Sequence, residues 1–434
     1  MRRVLNLGDL LVIAAAAIGP AFVLATVFGP MVITGGSATP SALLLVTLVM
    51  CCIAVGYRRL GERYPAAGSS YSWVRTAFGP AAGAYAAWVL IVANIFAVVA
   101  TAVPAGAYTL ALAAPALAES PLADAVVGTA WVLGSGVLLQ SGLRPTTRVT
   151  NVLLVAELAI LIVGAGVAFA HPVIAQASAG APFPGGAALI GAMVIGIWMI
   201  DGWEVSASTA EEAQAATSGP GLSGLAGLIA TAAVLWLCML AFMRVGTLDG
   251  FAQHEGDAMA YVGAQLGGAA WGVIIAATVL VSLAASLQTT LVYLTRSFFA
   301  MGRDGVLPRG LGTLDARDQP TGAIVFMTGA GMAFTLASGL SPTIRAAFDF
   351  ILNGTSVFLG ILFIMSAAAA VRIFHPEPAR RLSGVVLPAA GTAALAAILI
   401  FSFIQDSWST RAFILAAALI GLPLAVWHGR AAAH

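Results

Sequence analysis

Two carboxylates stand in the middle of an otherwise apolar stretch, Ile195-Gly196-Ile197-Trp198-Met199-Ile200-Asp201-Gly202-Trp203-Glu204-Val205-Ser206, which runs on to a pair of acids at Glu211 and Glu212. Left facing lipid, each of Asp201 and Glu204 would cost roughly 3 kcal/mol, so both must face protein, water or a ligand. Gly202 lies between them, and the pattern predicts a helix broken over Trp198–Gly202. Asp201 then stands at the start of a second half-helix with Glu204 three residues on, the spacing of a capping box. Asp201 is a cap, a contact for substrate or ion, or both. Glu204 reads as a structural or gating acid, and Glu211 and Glu212 as the end of the segment. A second apolar stretch, Leu10 to Phe22, carries Gly19-Pro20 in its middle. Pro20 has no amide hydrogen and clashes with the preceding turn, which predicts either a break over Ala17–Ala21 or a packed kink.

Broken helices do chemistry with their ends. The amides that open a second half suit an anionic group such as a carboxylate. The carbonyls that close a first half suit an ammonium group or a cation. A zwitterionic amino acid satisfies both, which makes Ile18, Gly19, Pro20, Ala21, Trp198, Asp201 and Gly202 candidate substrate-binding residues. Asn94, central in its own apolar segment, joins them as an amide able to bond a ligand or a neighbouring helix. Glu157 sits between Val152-Leu153-Leu154-Val155-Ala156 and Leu158-Ala159-Ile160-Leu161-Ile162, and is a proton-binding acid or one that ties helices together. Ser282 and Ser286, four apart on one helix face, line an ion or substrate site or bond their own backbone. With Glu204, these are the gating or coupling candidates.

Such residues need membrane-spanning elements to hold them. The 434-residue chain is 60% hydrophobic and only 9% charged, against roughly a quarter charged in soluble domains. No Asp, Glu, Lys or Arg occurs in 10–57, 76–118 or 158–200, each long enough for up to two spans. Barrel strands would alternate polar and apolar residues, so an outer-membrane barrel is excluded. Hydropathy and turn signals predict twelve spans near 8–33, 40–58, 80–111, 125–143, 149–170, 187–212, 222–243, 267–297, 321–339, 349–371, 384–404 and 411–428. With a cytoplasmic N-terminus, sixteen arginines fall at cytoplasmic ends and only Arg244, Arg345 and Arg411 on the far side. Both termini are therefore predicted cytoplasmic. Net charge is +1, giving no sign of a nucleic-acid partner. Cys51, Cys52 and Cys238 have neither metal nor disulfide spacing. The start lacks a small-residue cleavage site and does not read as a cleaved signal. Walker, HExxH and nucleophile-elbow motifs are missing from the sequence, and no cofactor motif occurs. A secondary transporter is the expected class rather than an ATP-driven pump, a channel or an enzyme; a non-transporting membrane scaffold or sensor is the rival class.

Three segments resemble the amino acid–polyamine–organocation superfamily of permeases. The first is Arg296-Ser297-Phe298-Phe299-Ala300-Met301-Gly302-Arg303-Asp304-Gly305-Val306-Leu307-Pro308, followed by Pro320. The second is Trp198 to Glu212 with its Asp-Gly-Trp-Glu core, and the third is Arg63-Tyr64-Pro65-Ala66-Ala67-Gly68-Ser69-Ser70-Tyr71. The resemblance covers essentially the whole chain. It implies an all-α polytopic membrane protein with a five-plus-five inverted repeat (LeuT-like): 1–170 as helices 1–5, 171–372 as helices 6–10, and 373–434 as two additional C-terminal helices. It also implies uptake or exchange of amino acids or amines. Gly19-Pro20-Ala21 stands where members carry a Gly-x-Gly carboxylate loop, Trp198 matches an aromatic that closes over substrate, and Asn94 matches a polar contact. Glu157 takes the place of a lysine found in several proton-coupled relatives. The expected activity is alternating-access transport of an amino acid or related amine across the cytoplasmic membrane of a prokaryote, driven by protons. Exchange of polyamines or cationic amino acids, and symport with sodium, are the alternatives. Three acids near the path rank neutral substrates first, cationic ones second and acidic ones last.

Overall fold

Asn6 starts the first helix: its side chain accepts the Asp9 amide and Asp9 returns a bond to the Asn6 amide, both at 3.0 Å. The computed structural model describes residues 1–118, 120–340, 344–405 and 407–431, with side chains throughout except at 269, 344–354, 409 and 431. Helix α1 (Leu7–Ile18) ends at Gly19, and α2 (Pro20–Thr26) and α3 (Phe28–Gly35) continue the first span. The glycine-rich stretch after it is only a tight turn at Gly36–Ala38, from which α4 (Thr39–Arg63) leaves with Pro40 in its first turn.

The succession continues with α5 (Ser69–Phe78), α6 (Pro80–Ala113), α7 (Pro121–Gln140) and α8 (Leu143–Ala170). A short helix, α9 (Gly186–Met199), leads through a turn to the four-residue α10 (Val205–Ser208). Then come α11 (Gly219–Phe242), two short connecting helices, α12 (Leu248–Gln253) and α13 (Ala258–Gly267), and the long α14 (Ala269–Arg303). The chain closes with α15 (Thr321–Ser338), α16 (Ile344–Phe374), α17 (Leu387–Gln405) and α18 (Trp408–Ala431).

Among the described residues, eleven helical runs are long and apolar enough to cross a membrane, one of them joining α3 to α4. The expected sixth span survives as α9, 14 residues long, because the chain leaves helical geometry at Ile200. Sequence reasoning overlooked α5, α12 and α13, whose apolar periods are too short to register as spans.

Outward-facing positions carry large apolar side chains, among them Val152, Val155, Ile400, Leu419 and Trp427. A water-exposed surface of that kind is untenable, whereas lipid accepts it. The chain is thus a multi-pass membrane protein. The most enclosed elements are α1–α2 and α6, and the peripheral ones are α17 and α18. Around the first break, Ala15 and Ala16 of α1 pack with Leu154 of α8 and Ala285 of α14. The alanines let the α1 and α14 backbones come close, with Leu154 bringing α8 alongside, which places α8 and α14 within reach of Gly19.

Candidate functional site

Gly19 adopts φ 65° and ψ 66°, closing α1 and opening α2 in one residue. Pro20 follows at the first helical position, where its missing amide hydrogen would have had no partner anyway. The other break lies after Met199, and Gly202 takes φ +111° there. A Cβ on Gly202 would stand 2.7 Å from the carbonyl carbon of Ala17 and 3.0 Å from the amide nitrogen of Ile18. Only a glycine allows this approach, so the breaks in the two chains of helices lie against each other.

The free ends of the first break are met by side chains from α8 and α14. Ala21 donates its amide hydrogen to Glu157 Oε2 at 3.4 Å, and Phe22 donates to Ser282 Oγ at 3.1 Å. Ser286 Oγ donates to the Ala17 carbonyl at 3.0 Å. One helical face of α14, with serines four residues apart, therefore bridges the break from carbonyl side to amide side. Glu157 is fully buried, and its Oε1 has no hydrogen-bond partner among the described residues.

Trp198 is buried in the last turn of α9 with its indole N–H unpartnered among the described residues. Asp201 Oδ1 is likewise unpartnered. Asn94 donates to the Leu90 carbonyl of its own helix at 3.0 Å. The capping box expected from Asp201 and Glu204 does not form. With Gly202 at positive φ the chain first makes a turn, closed by the Val205 amide on the Gly202 carbonyl at 3.1 Å. The second half-helix starts later than expected: its cap position is Glu204, and no side chain bonds the cap. Glu204 is buried with Oε2 unpartnered among the described residues.

Comparison with known proteins matches residues 9–423 to a family described as amino acid permease. The chain belongs to the amino acid permease family. It is 27% identical over 340 residues to a branched-chain amino acid permease of Lactococcus lactis, covering 72% of each protein. It is 25% identical over 411 residues to uncharacterized transporters of Mycobacterium tuberculosis and Mycobacterium bovis, covering 92% of this chain and 89% of each relative.

In this permease the three segments that carried the resemblance converge at one end of the bundle. Arg296 is fully buried and forks onto Glu212 with bonds of 2.9 and 3.1 Å. Arg303 forks onto Glu211, which also accepts the Ala67 amide at 3.0 Å. Asp304 receives Arg75 at 2.6 Å and the Tyr71 hydroxyl at 3.0 Å. The reading of Glu211 and Glu212 as a plain end of a span is corrected: both are tied to arginines, Glu212 inside the protein. The Glu212 carbonyl also accepts the amides of Val4 and Leu5, at 2.8 and 3.0 Å, and Gln214 donates its amide to the Leu5 carbonyl at 2.9 Å. This strap buries Leu5 completely. A cluster of aromatics went unnoticed in the sequence as well. Trp203 stacks on Phe363 at 5.5 Å and meets Tyr57 edge-on at 5.0 Å. Nothing in local spacing links positions 57, 203 and 363; only the signature tryptophan beside Gly202 hinted at them.

Proposed function

We propose that this permease is a secondary active transporter that carries a neutral amino acid across the cytoplasmic membrane by alternating access, coupled to protons. The observation that carries this reading is the Glu157 carboxylate seated at the start of α2, on an amide that a substrate carboxylate would need. Two carboxylates at that helix end would repel each other, so the substrate's enters when Glu157 is protonated or withdrawn. Substrate and proton then bind together, which is the thermodynamic requirement of symport. Trp198 would cover the substrate, Asp201 and the carbonyl end of α1 would face its ammonium group, and Glu204 would gate the far side. The family and its branched-chain relative support an aliphatic side chain on the substrate. The two breaks, each in the first span of a proposed five-helix half (1–170 and 171–372, followed by 373–434), support the inverted-repeat reading.

A second reading rests on the same geometry. The Ala21 and Phe22 amides are already bonded within the protein, which suits a cation that brings no carboxylate, such as a polyamine. Sodium coupling through Ser282 and Ser286 has less support, because both hydroxyls are engaged by backbone groups.

Uptake into proteoliposomes tests these readings together. Expected is saturable leucine uptake, stimulated by an inward proton gradient and unchanged when choline replaces sodium. Spermidine flux without leucine flux would favour the second reading. Sodium dependence without any effect of pH would overturn proton coupling. No saturable flux of neutral amino acids, arginine, glutamate or spermidine would leave the scaffold or sensor class.

A further inference from the structure

A groove of about 1000 Å³ lies between α16 and α17, and Phe78 at the end of α5 closes one side. On α16 and the residue that follows it the groove is lined by Ala368, Val371, Arg372 and His375, and on α17 by Ala389, Thr392, Ala393 and Ala396. Both sets follow the spacing i, i+3, i+4, i+7, so each helix turns one whole face to the groove. Alanines make four of the eight positions, and their small side chains leave the space between the two helix faces unfilled.

The basic groups are confined to one end, Arg372 in the last turn of α16 and His375 just past it. Three neighbouring arginines are paired with acids: Arg59 and Arg380 reach Glu62, and Arg63 and Arg380 reach Glu377. Arg372 and His375 have no acidic partner among the described residues, and both are exposed. The groove therefore pairs a long methyl-lined wall with uncompensated basic groups at the arginine-rich end of the spans.

We propose that this groove is a binding site for an anionic phospholipid, with an acyl chain along the alanine walls and the phosphate on Arg372 and His375. A guanidinium offers a planar fork to phosphate oxygens, and a basic pocket between spans at this level lies at headgroup depth. A free phosphate ion would leave the apolar walls uncovered, which is why a lipid is the stated occupant. The proposal does not rest on the transport reading, since none of the groove's lining residues belongs to the breaks or to the side chains that meet them.

Native mass spectrometry of the delipidated full-length protein tests it, with dioleoylphosphatidylglycerol against dioleoylphosphatidylcholine as probes. The expected result is one retained phosphatidylglycerol, preferred about ten-fold over phosphatidylcholine. Arg372→Gln with His375→Gln should remove the preference, and Ala393→Trp, which fills the groove but keeps the charges, should remove the retention. Millimolar inorganic phosphate should not displace the lipid. Equal retention of both lipids by the unaltered protein, or an unchanged phosphatidylglycerol preference in both variants, would overturn the proposal. Displacement by inorganic phosphate would overturn it too, leaving a simple anion site.

Discussion

Gly202 and Glu157 test the site at the level of single side chains. A methyl group at Gly202 would meet the Ala17–Ile18 backbone at 2.7–3.0 Å, in a φ of +111° that L side chains rarely adopt. Gly202→Ala should lower stability by about 1–3 kcal/mol and abolish uptake, read by thermal unfolding and by flux on the same preparation. At Glu157 the expected effect is on pH and not on folding. Glutamine keeps an oxygen for the Ala21 amide but cannot exchange a proton. Glu157→Gln should bind leucine with an affinity that no longer rises as pH falls, and should exchange leucine without responding to a proton gradient; a binding curve across pH checks it. A retained pH response would remove Glu157 from coupling. Outside the spans, Asp315 accepts the Gln319 amide at 3.0 Å, the Thr321 hydroxyl at 2.8 Å and the Arg317 amide at 2.8 Å. These bonds, led by the Gln319 amide, hold its carboxyl down from 3.8 to about 2. A lowered value makes the carboxylate stabilising above pH 3.8, with that contribution lost as pH falls through about 2. Hydrogen exchange at the Gln319 and Arg317 amides should therefore stay protected at mildly acidic pH, and Asp315→Asn should remove much of that protection at neutral pH.

Among the elements, α14 does for the first break what a continuous helix would do for itself. Ser282→Ala strips the Phe22 amide of its partner and Ser286→Ala strips the Ala17 carbonyl. Each should cost about 1–3 kcal/mol, the penalty for a buried polar group left unpaired, with threonine restoring most of it. Unfolding midpoints of the alanine and threonine variants provide the comparison. Both breaks were legible in the sequence, because Gly19-Pro20 and Asp201-Gly202 interrupt apolar runs with residues that oppose helix. The serine face was legible too, through its four-residue spacing. What it faces was not: the partners lie 260 and 269 positions away in the chain, and only packing of small alanines brings them together. Glu157 illustrates the same limit. Its burial followed from its apolar neighbours, while its bond to Ala21 depends on how α8 leans on α1. The capping box failed for a local reason, since the spacing was right but a positive φ at Gly202 moved the helix start.

At the scale of the whole molecule, a set of ion pairs marks one end, where segments around positions 63–75, 211–212 and 296–304 lock together. That end also holds most of the arginines, so the proposed orientation places it in the cytoplasm. In a cysteine-free background, Gly310→Cys should be shielded from a membrane-impermeant maleimide in intact cells and Gly256→Cys should react; the reverse pattern would invert the topology. Most spans were readable from hydropathy, because a bilayer requires an apolar length of any helix that crosses it. The pairing of Arg296 with Glu212 was not, since either residue taken singly reads as a helix end. The strap formed by Val4 and Leu5 on the Glu212 carbonyl has a practical consequence for work on the protein. Anything fused to Met1 pulls on a segment pinned to the arginine cluster, whereas the same cargo on α18 hangs from a peripheral element. Turnover numbers from N-terminally tagged preparations would thus report the tether as well as the carrier, and the C-terminal side is the quieter handle.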